Sequence, residues 1–81
     1  MIVQLVGSEN CPSCRELEAS VQHVVSERGI AADIQKVTDP AGIMECGVMA
    51  LPGLVIDGRV IVSGRVPSRE ELGRVLDAAG A

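Results

Sequence analysis

The spacing of apolar residues changes along the chain, and each spacing predicts a different element. Residues 2–6 are a short apolar run, typical of a buried strand, and residues 7–10 predict a loop. From residue 12 to about residue 28, apolar side chains recur at the three- and four-residue intervals of one helix face. They are Leu17, Val21, Val24 and Val25. Gly29 is a natural residue to end this helix, and residues 30–37 alternate loosely, which predicts a second strand.

A second, shorter helix is indicated by its two ends. Asp39 is suited to the N-cap position and Pro40 to the first helical position, where proline loses no hydrogen bond. The helix is expected to end near Cys46, with Gly47 as its stop. The break at residues 51–53 then separates it from the next apolar run.

The last third of the chain predicts a hairpin and a final helix. Asp57-Gly58 separates two β-branched runs, residues 54–56 and 60–62, and this dipeptide suits a two-residue hairpin turn. Residues 68–71 spell the capping box Ser-Arg-Glu-Glu before a helix with an apolar face. The predicted order is β-α-β-α-β-β-α, which is an α/β fold.

Composition and charge narrow the possible functions. The 81 residues allow one domain, spanning residues 1–81, whose core must be aliphatic because the chain has no Phe, Trp or Tyr. A net charge of −4 with scattered Lys and Arg argues against nucleic-acid binding. The longest apolar stretch, residues 48–56, contains Pro52 and Gly53 and is shorter than the roughly 18 residues of a membrane span. No basic segment precedes the first strand, so no secretory signal is expected and the cytoplasm is the expected compartment.

The residues that could carry redox or metal chemistry are Cys11-Pro12-Ser13-Cys14, which lie between the first predicted strand and the first predicted helix. Two sulfurs at this spacing can form a small disulfide ring or bind one metal ion. A pair of this kind in a reducing compartment is more typical of catalysis or metal binding than of a structural crosslink. The motif alone leaves both readings open.

Helix geometry makes the two cysteines unequal. Pro12 fits the first helical position, so Cys11 is the N-cap, where free N–H groups and the positive end of the helix dipole favour a thiolate. Cys14 lies three residues before Leu17 and is expected to be partly buried on the apolar face. For dithiol exchange this predicts that Cys11 attacks and Cys14 resolves the mixed disulfide.

The remaining sulfur and imidazole groups are interpreted as structural. Cys46 is expected to be a buried small residue near a helix end, and Met44 and Met49 to fill the core. His23 is expected to be solvated or at the core edge. A closed zinc site would need two ligands besides the cysteine pair, and this histidine lies about two and a half turns further along the helix.

These motifs together resemble the small thioredoxin-like "redox-active disulfide" proteins of archaea and bacteria, which are the size of glutaredoxins. The resemblance rests on Cys-Pro-Ser-Cys at 11–14, Ala-Leu-Pro-Gly at 50–53, the Asp-Gly hairpin, and Gly-Arg-Val-Pro-Ser at 64–68. It implies a three-layer α/β/α sandwich with a four-stranded mixed sheet. It also implies that Pro52 is cis and that the backbone of Leu51 pairs with an extended substrate.

The function implied by the resemblance is thiol–disulfide oxidoreduction without a cofactor. The expected partners are a disulfide-bearing client protein and a dithiol reductase, with no nucleic acid and no membrane. One alternative is a soft-metal carrier, since heavy-metal-associated domains also place Cys-x-x-Cys at a helix start. Such domains end in a strand, whereas this chain ends in a capped helix. The other alternative is a thioredoxin-fold module whose disulfide acts as a switch without turnover.

Overall fold

All seven predicted elements are present, in the predicted order. The structure is a computed structural model that describes residues 1–8 and 11–80, so part of the predicted loop at residues 7–10 lies outside the described residues. The elements are β1 (Ile2–Val6), α1 (Pro12–Arg28), β2 (Asp33–Val37), α2 (Pro40–Cys46), β3 (Gly53–Ile56), β4 (Arg59–Ser63) and α3 (Arg69–Gly80). Within the described ranges, no helix is long and apolar enough to cross a membrane.

The four strands form one mixed sheet in the order β2-β1-β3-β4. β1 and β2 are parallel, whereas β3 runs antiparallel to both β1 and β4. The β3–β4 pairing shifts register between Leu54 and Val55, so that Ile61 is a bulged residue opposite this step. The hairpin turn has positive φ at Asp57 (49°) and Gly58 (84°), which is the geometry that an Asp-Gly turn supplies.

Helices cover both faces of the sheet, which makes the three-layer α/β/α sandwich that the resemblance implies. α1 and α3 pack on one face around the main core, which contains only aliphatic side chains; the buried members are Val3, Leu5, Leu17, Val21, Val24, Leu54, Ile56, Val62, Leu72 and Leu76. The short α2 covers the other face over a smaller cluster of Val6, Val48 and Val55. The aliphatic core follows from the absence of aromatic residues.

Local end signals set the bounds of the first two helices. Gly29 ends α1 with φ 64°, and the N–H of Ile30 donates to the carbonyl of Val25 at 3.0 Å. This closing turn holds the chain out of the sheet, so β2 begins at Asp33 rather than at the predicted Ile30. At α2, the Asp39 carboxylate accepts the Gly42 N–H at 2.9 Å, as expected for an N-cap.

The capping box of α3 forms only in half. The Ser68 hydroxyl accepts the Glu71 N–H at 3.1 Å, but the Glu71 carboxylate turns to Arg65 instead of returning to the Ser68 N–H. Arg65 donates two hydrogen bonds to Glu71, at 3.0 and 2.6 Å. These hydrogen bonds hold the pKa of the Glu71 carboxyl below its usual range and raise the pKa of Arg65.

Candidate active site

Cys11 and Cys14 are joined as a disulfide at the start of α1, with their Cα atoms 5.2 Å apart. Cys11 is the N-cap residue, and Pro12 occupies the start of the helix, as the sequence predicts. The Cys11 Sγ accepts the Cys14 N–H at 3.1 Å. A backbone donor of the first helical turn is therefore aimed at this sulfur. A negative charge on Cys11 would meet both this donor and the helix dipole.

Cys14 is partly buried and lies directly against Gly7, the residue after β1. A Cβ built at Gly7 would be 2.5 Å from the Cys14 Sγ and 2.7 Å from its Cβ. The backbone of Gly7 is fixed in this position because its N–H donates to the carbonyl of Val37 at 3.0 Å. Gly7 is thus a site residue that the sequence reasoning did not identify. Its only signal was its position between the first strand and the cysteine pair.

The Leu51–Pro52 loop reaches the same end of the sheet as the cysteines. Gly53 pairs with Val6 at the end of β1, so the residues just before Gly53 lie beside the segment that leads to Cys11. The Leu51–Pro52 peptide bond is cis, as the resemblance implies. Pro52 is buried, whereas Leu51 is 38% exposed.

The end of β4 holds this loop in place. The Ser63 hydroxyl accepts the Ala50 N–H at 3.1 Å and donates to the Ala50 carbonyl at 3.3 Å. The Gly64 N–H donates to the carbonyl of Pro52 at 2.9 Å. The described residues make no hydrogen bond to the backbone of Leu51. The polar groups on either side of Leu51 are therefore occupied, whereas its own backbone makes no hydrogen bond to a described residue.

The two methionines near this loop correct a prediction. Met44 and Met49 were expected to fill the core, but they are 81% and 92% exposed. α2 has only seven residues, and the side chains that it packs on the sheet are Ile43 and Cys46. Met44 therefore faces away from the sheet. Met49 lies in the loop before Pro52, and its side chain is not packed in either hydrophobic cluster.

The third cysteine and the histidine take no part in this arrangement. Cys46 is a free, partly buried thiol at the end of α2, and its Sγ lies 3.9 Å from the Gln4 Oε1. His23 is exposed and pairs with Glu27 at 3.0 Å on the surface of α1. Across residues 1–8 and 11–80, no three His, Cys, Asp or Glu side chains are grouped to hold a metal ion.

A cavity of about 520 Å³ opens beside Cys14, between α1 and the ends of β1 and β2. Its polar lining includes Glu18 from α1 and Lys36 from β2. These two side chains form an ion pair with the Lys36 Nζ 2.8 Å from the Glu18 Oε1. Cys14 thus lies beside a partly polar cavity, on the side away from the loop at residues 50–53.

Comparison with known proteins agrees with this architecture. Residues 1–77 match the family described as "Thioredoxin domain". A protein named thioredoxin from Methanothermobacter thermautotrophicus is 40% identical over 76 residues, which cover 94% of this chain and 97% of the relative. Another from Methanocaldococcus jannaschii is 38% identical over 72 residues, covering 89% and 83%.

A solved structure supports the same fold. The germline-specific thioredoxin Deadhead from Drosophila melanogaster superposes with a TM-score of 0.60 and 19% identity. The match covers 95% of this chain and 78% of Deadhead. At this level of identity the likeness concerns the fold alone.

Proposed function

The chain belongs to the thioredoxin domain family and is a thiol–disulfide oxidoreductase, and from this premise we propose which of its residues carry the reaction. Cys11 is the attacking residue and Cys14 the resolving residue. The observation that carries this assignment is the N-cap position of Cys11, whose Sγ accepts the Cys14 N–H at 3.1 Å. The metal-carrier alternative is not favoured by the kinship with thioredoxins.

The reaction proceeds through two exchanges between the reduced cysteine pair and a client disulfide. The Cys11 thiolate attacks one client sulfur, forms a mixed disulfide and releases the other client sulfur as a thiolate. Cys14, as thiolate, then attacks the Cys11 sulfur. The Cys11–Cys14 bond forms, the bond to the client breaks, and the second client sulfur leaves. The client gains two electrons and the cysteine pair loses two.

Leu51 and Pro52 form the client-binding surface in this proposal. The support is that Leu51 is 38% exposed with a backbone free of hydrogen bonds to described residues, while its neighbours are tied to β4. An extended client strand could pair with this backbone, as in other β-strand additions. Pro52, buried and rigid, would keep that backbone at the end of the sheet that carries the cysteines.

The partners in this proposal are a disulfide-bearing client and a reductase that returns the cysteine pair to its dithiol form. The cytoplasm is the proposed compartment, because a dithiol that must be regenerated suits a reducing environment. Residues 1–81 act as a single thioredoxin-like domain, and the cysteine pair needs no cofactor for this exchange.

The test is reduction of insulin disulfides by cysteine variants. We expect Cys11→Ser to abolish the activity and Cys14→Ser to accumulate a mixed disulfide that gel electrophoresis without reductant detects. Cys46→Ser is the matched control, since its thiol lies outside the pair, and it should retain activity. Activity of the unaltered protein no faster than that of free dithiothreitol would refute turnover and favour a switch. The trap made with Cys14→Ser in cell extract would identify the client.

A further inference from the structure

Gly7 lies against the sulfur of Cys14 in the disulfide, and this contact leaves no space for a side chain at residue 7. A Cβ there would be 2.5 Å from the Cys14 Sγ, whereas real Cβ atoms essentially never come within 3.0 Å of a non-bonded atom. The φ of Gly7 is outside the left-handed region, so its backbone conformation does not require glycine. The glycine is therefore explained by its contact with the disulfide.

The segments on both sides of this contact are held in place. The Gly7 N–H donates to the carbonyl of Val37 at 3.0 Å, and the preceding residue, Val6, is paired with a strand on each side. On the helix side, Leu17 lies about one turn after Cys14 and is buried in the main core. A side chain at residue 7 would therefore have to displace the Cys14 sulfur or the first turn of α1.

The closeness of this contact depends on the redox state of the cysteine pair. In the disulfide, the bond to Cys11 fixes the position of the Cys14 Sγ, so the sulfur stays beside Gly7. In the dithiol this bond is absent, and the Sγ can adopt another staggered rotamer. The cavity of about 520 Å³ that Gly7 and Cys14 both line gives the sulfur space to do so. A side chain at residue 7 would therefore destabilise the disulfide more than the dithiol.

We infer that Gly7 is a positioning residue that sets the equilibrium between the disulfide and the dithiol. Because it has no side chain, the Cys14 Sγ can lie at bonding distance from Cys11 without a steric penalty. In exchange with glutathione, two glutathione thiols give two electrons and two protons to the pair and become one glutathione disulfide. Gly7 favours the disulfide side of this equilibrium, which makes the dithiol a stronger reductant of clients. This role rests on the proposed use of Cys11 and Cys14 as the reacting pair.

The experiment measures the equilibrium of the cysteine pair with glutathione in Gly7→Ala. Every protein compared carries Cys46→Ser, so that the pair supplies the only protein thiols. The proteins are equilibrated at pH 7 in buffers of fixed glutathione to glutathione disulfide ratio, free thiols are trapped with a maleimide, and mass spectrometry counts them. We expect the equilibrium constant for disulfide formation to fall about three- to tenfold in Gly7→Ala, because reduction relieves part of the overpacking.

Gly73→Ala shows whether alanine at any crowded glycine has this effect. The Cβ at residue 73 would also come within 2.5 Å of another atom, but that atom belongs to Arg28, at the other end of α1 from the pair. Its equilibrium constant should stay within about twofold of that of the Cys46→Ser parent. The double variant Gly7→Ala with Gly73→Ala repeats the comparison in a background with a more stable α3. Urea unfolding gives an independent value, because Gly7→Ala should lose more stability in the oxidised form than in the reduced form.

The outcomes separate a redox role of Gly7 from a purely structural one. An unchanged equilibrium constant, with equal losses of stability in the two redox forms, would overturn the redox role because the new methyl group would then burden both forms alike. A shift toward the disulfide would overturn it as well. Failure of the Cys46→Ser parent to form the Cys11–Cys14 disulfide in the glutathione buffers would instead count against the proposed function.

Discussion

Replacing Gly7 by alanine should destabilise the domain because the new methyl group has no space. It would lie 2.5 Å from the Cys14 Sγ and 2.7 Å from the Cys14 Cβ, nearly an ångström inside ordinary van der Waals contact at 3.4 Å. The φ of Gly7 is outside the left-handed region, so alanine adds no backbone strain and the contact alone sets the penalty. Overpacking of this kind costs about 1–3 kcal/mol.

The penalty cannot be relieved by moving a flexible side-chain end. The Cys14 Cβ is attached directly to α1, so the first turn of the helix must shift away from β1. A loss of about 2 kcal/mol corresponds to a fall in melting temperature of about 8–16 °C for a domain of this size. In the reduced protein the Cys14 Sγ can rotate away, although its Cβ cannot. The loss should therefore be smaller in the reduced form than in the oxidised form.

Gly73→Ala is the matched control for thermal unfolding followed by circular dichroism. Its Cβ would also come within 2.5 Å of another atom, but that atom is Nη2 at the flexible end of Arg28. The arginine can swing aside, and alanine in a helix is favoured over glycine by about 0.5–1 kcal/mol. Gly73→Ala should thus melt at or above the unaltered temperature. Equal melting temperatures for Gly7→Ala and Gly73→Ala would refute the reasoning.

Two further predictions concern the hairpin and the ion pair before α3. Asp57→Ala should lower the stability in urea unfolding by about 1–2 kcal/mol, because a residue with φ 49° loses a carboxylate that accepts the Ile2 N–H at 2.8 Å. Asp57→Asn should retain most of this stability, and equal losses of stability in the alanine and asparagine variants would contradict this explanation. Glu71→Gln should lower the melting temperature slightly at pH 7, since the folded state depresses the pKa of Glu71. That stabilisation is present above the unfolded pKa of about 4.3 and is lost as the pH falls through the lower folded pKa, so the two melting temperatures should converge as the solution becomes more acidic. A difference that persists in acid would exclude an electrostatic origin.

The order of elements could be predicted from the sequence because each boundary has a local signal. Pro12, Gly29, Asp39 and Gly47 act through their own backbone or side chain, and the helices begin or end at these residues. The start of β2 could not be predicted in this way. Residues 30–32 have suitable side chains for a strand, but the closing turn of α1 keeps them out of the sheet.

Close contacts between segments that are far apart in the chain could not be predicted from the sequence. Two examples are the close packing of Cys14 against Gly7 and the hydrogen bonds between Ser63 and Ala50. Both form only when separate elements come together in the fold. The exposure of Met44 depends on which face of a seven-residue helix packs on the sheet, and so short a helix gives little periodicity to decide it. The cysteine pair was recognisable because its chemistry is local to four residues.

The bulge between β3 and β4 has a consequence for pairing between molecules at the edge of the sheet. β4 is an edge strand with Val60 and Ile61 exposed, and a flat apolar edge is a template for a strand of another molecule. The register shift opposite Leu54 and Val55 twists this edge and interrupts its regular ladder. A second chain therefore meets an irregular row of donors and acceptors. The irregular edge thus disfavours strand-to-strand pairing of two molecules through β4.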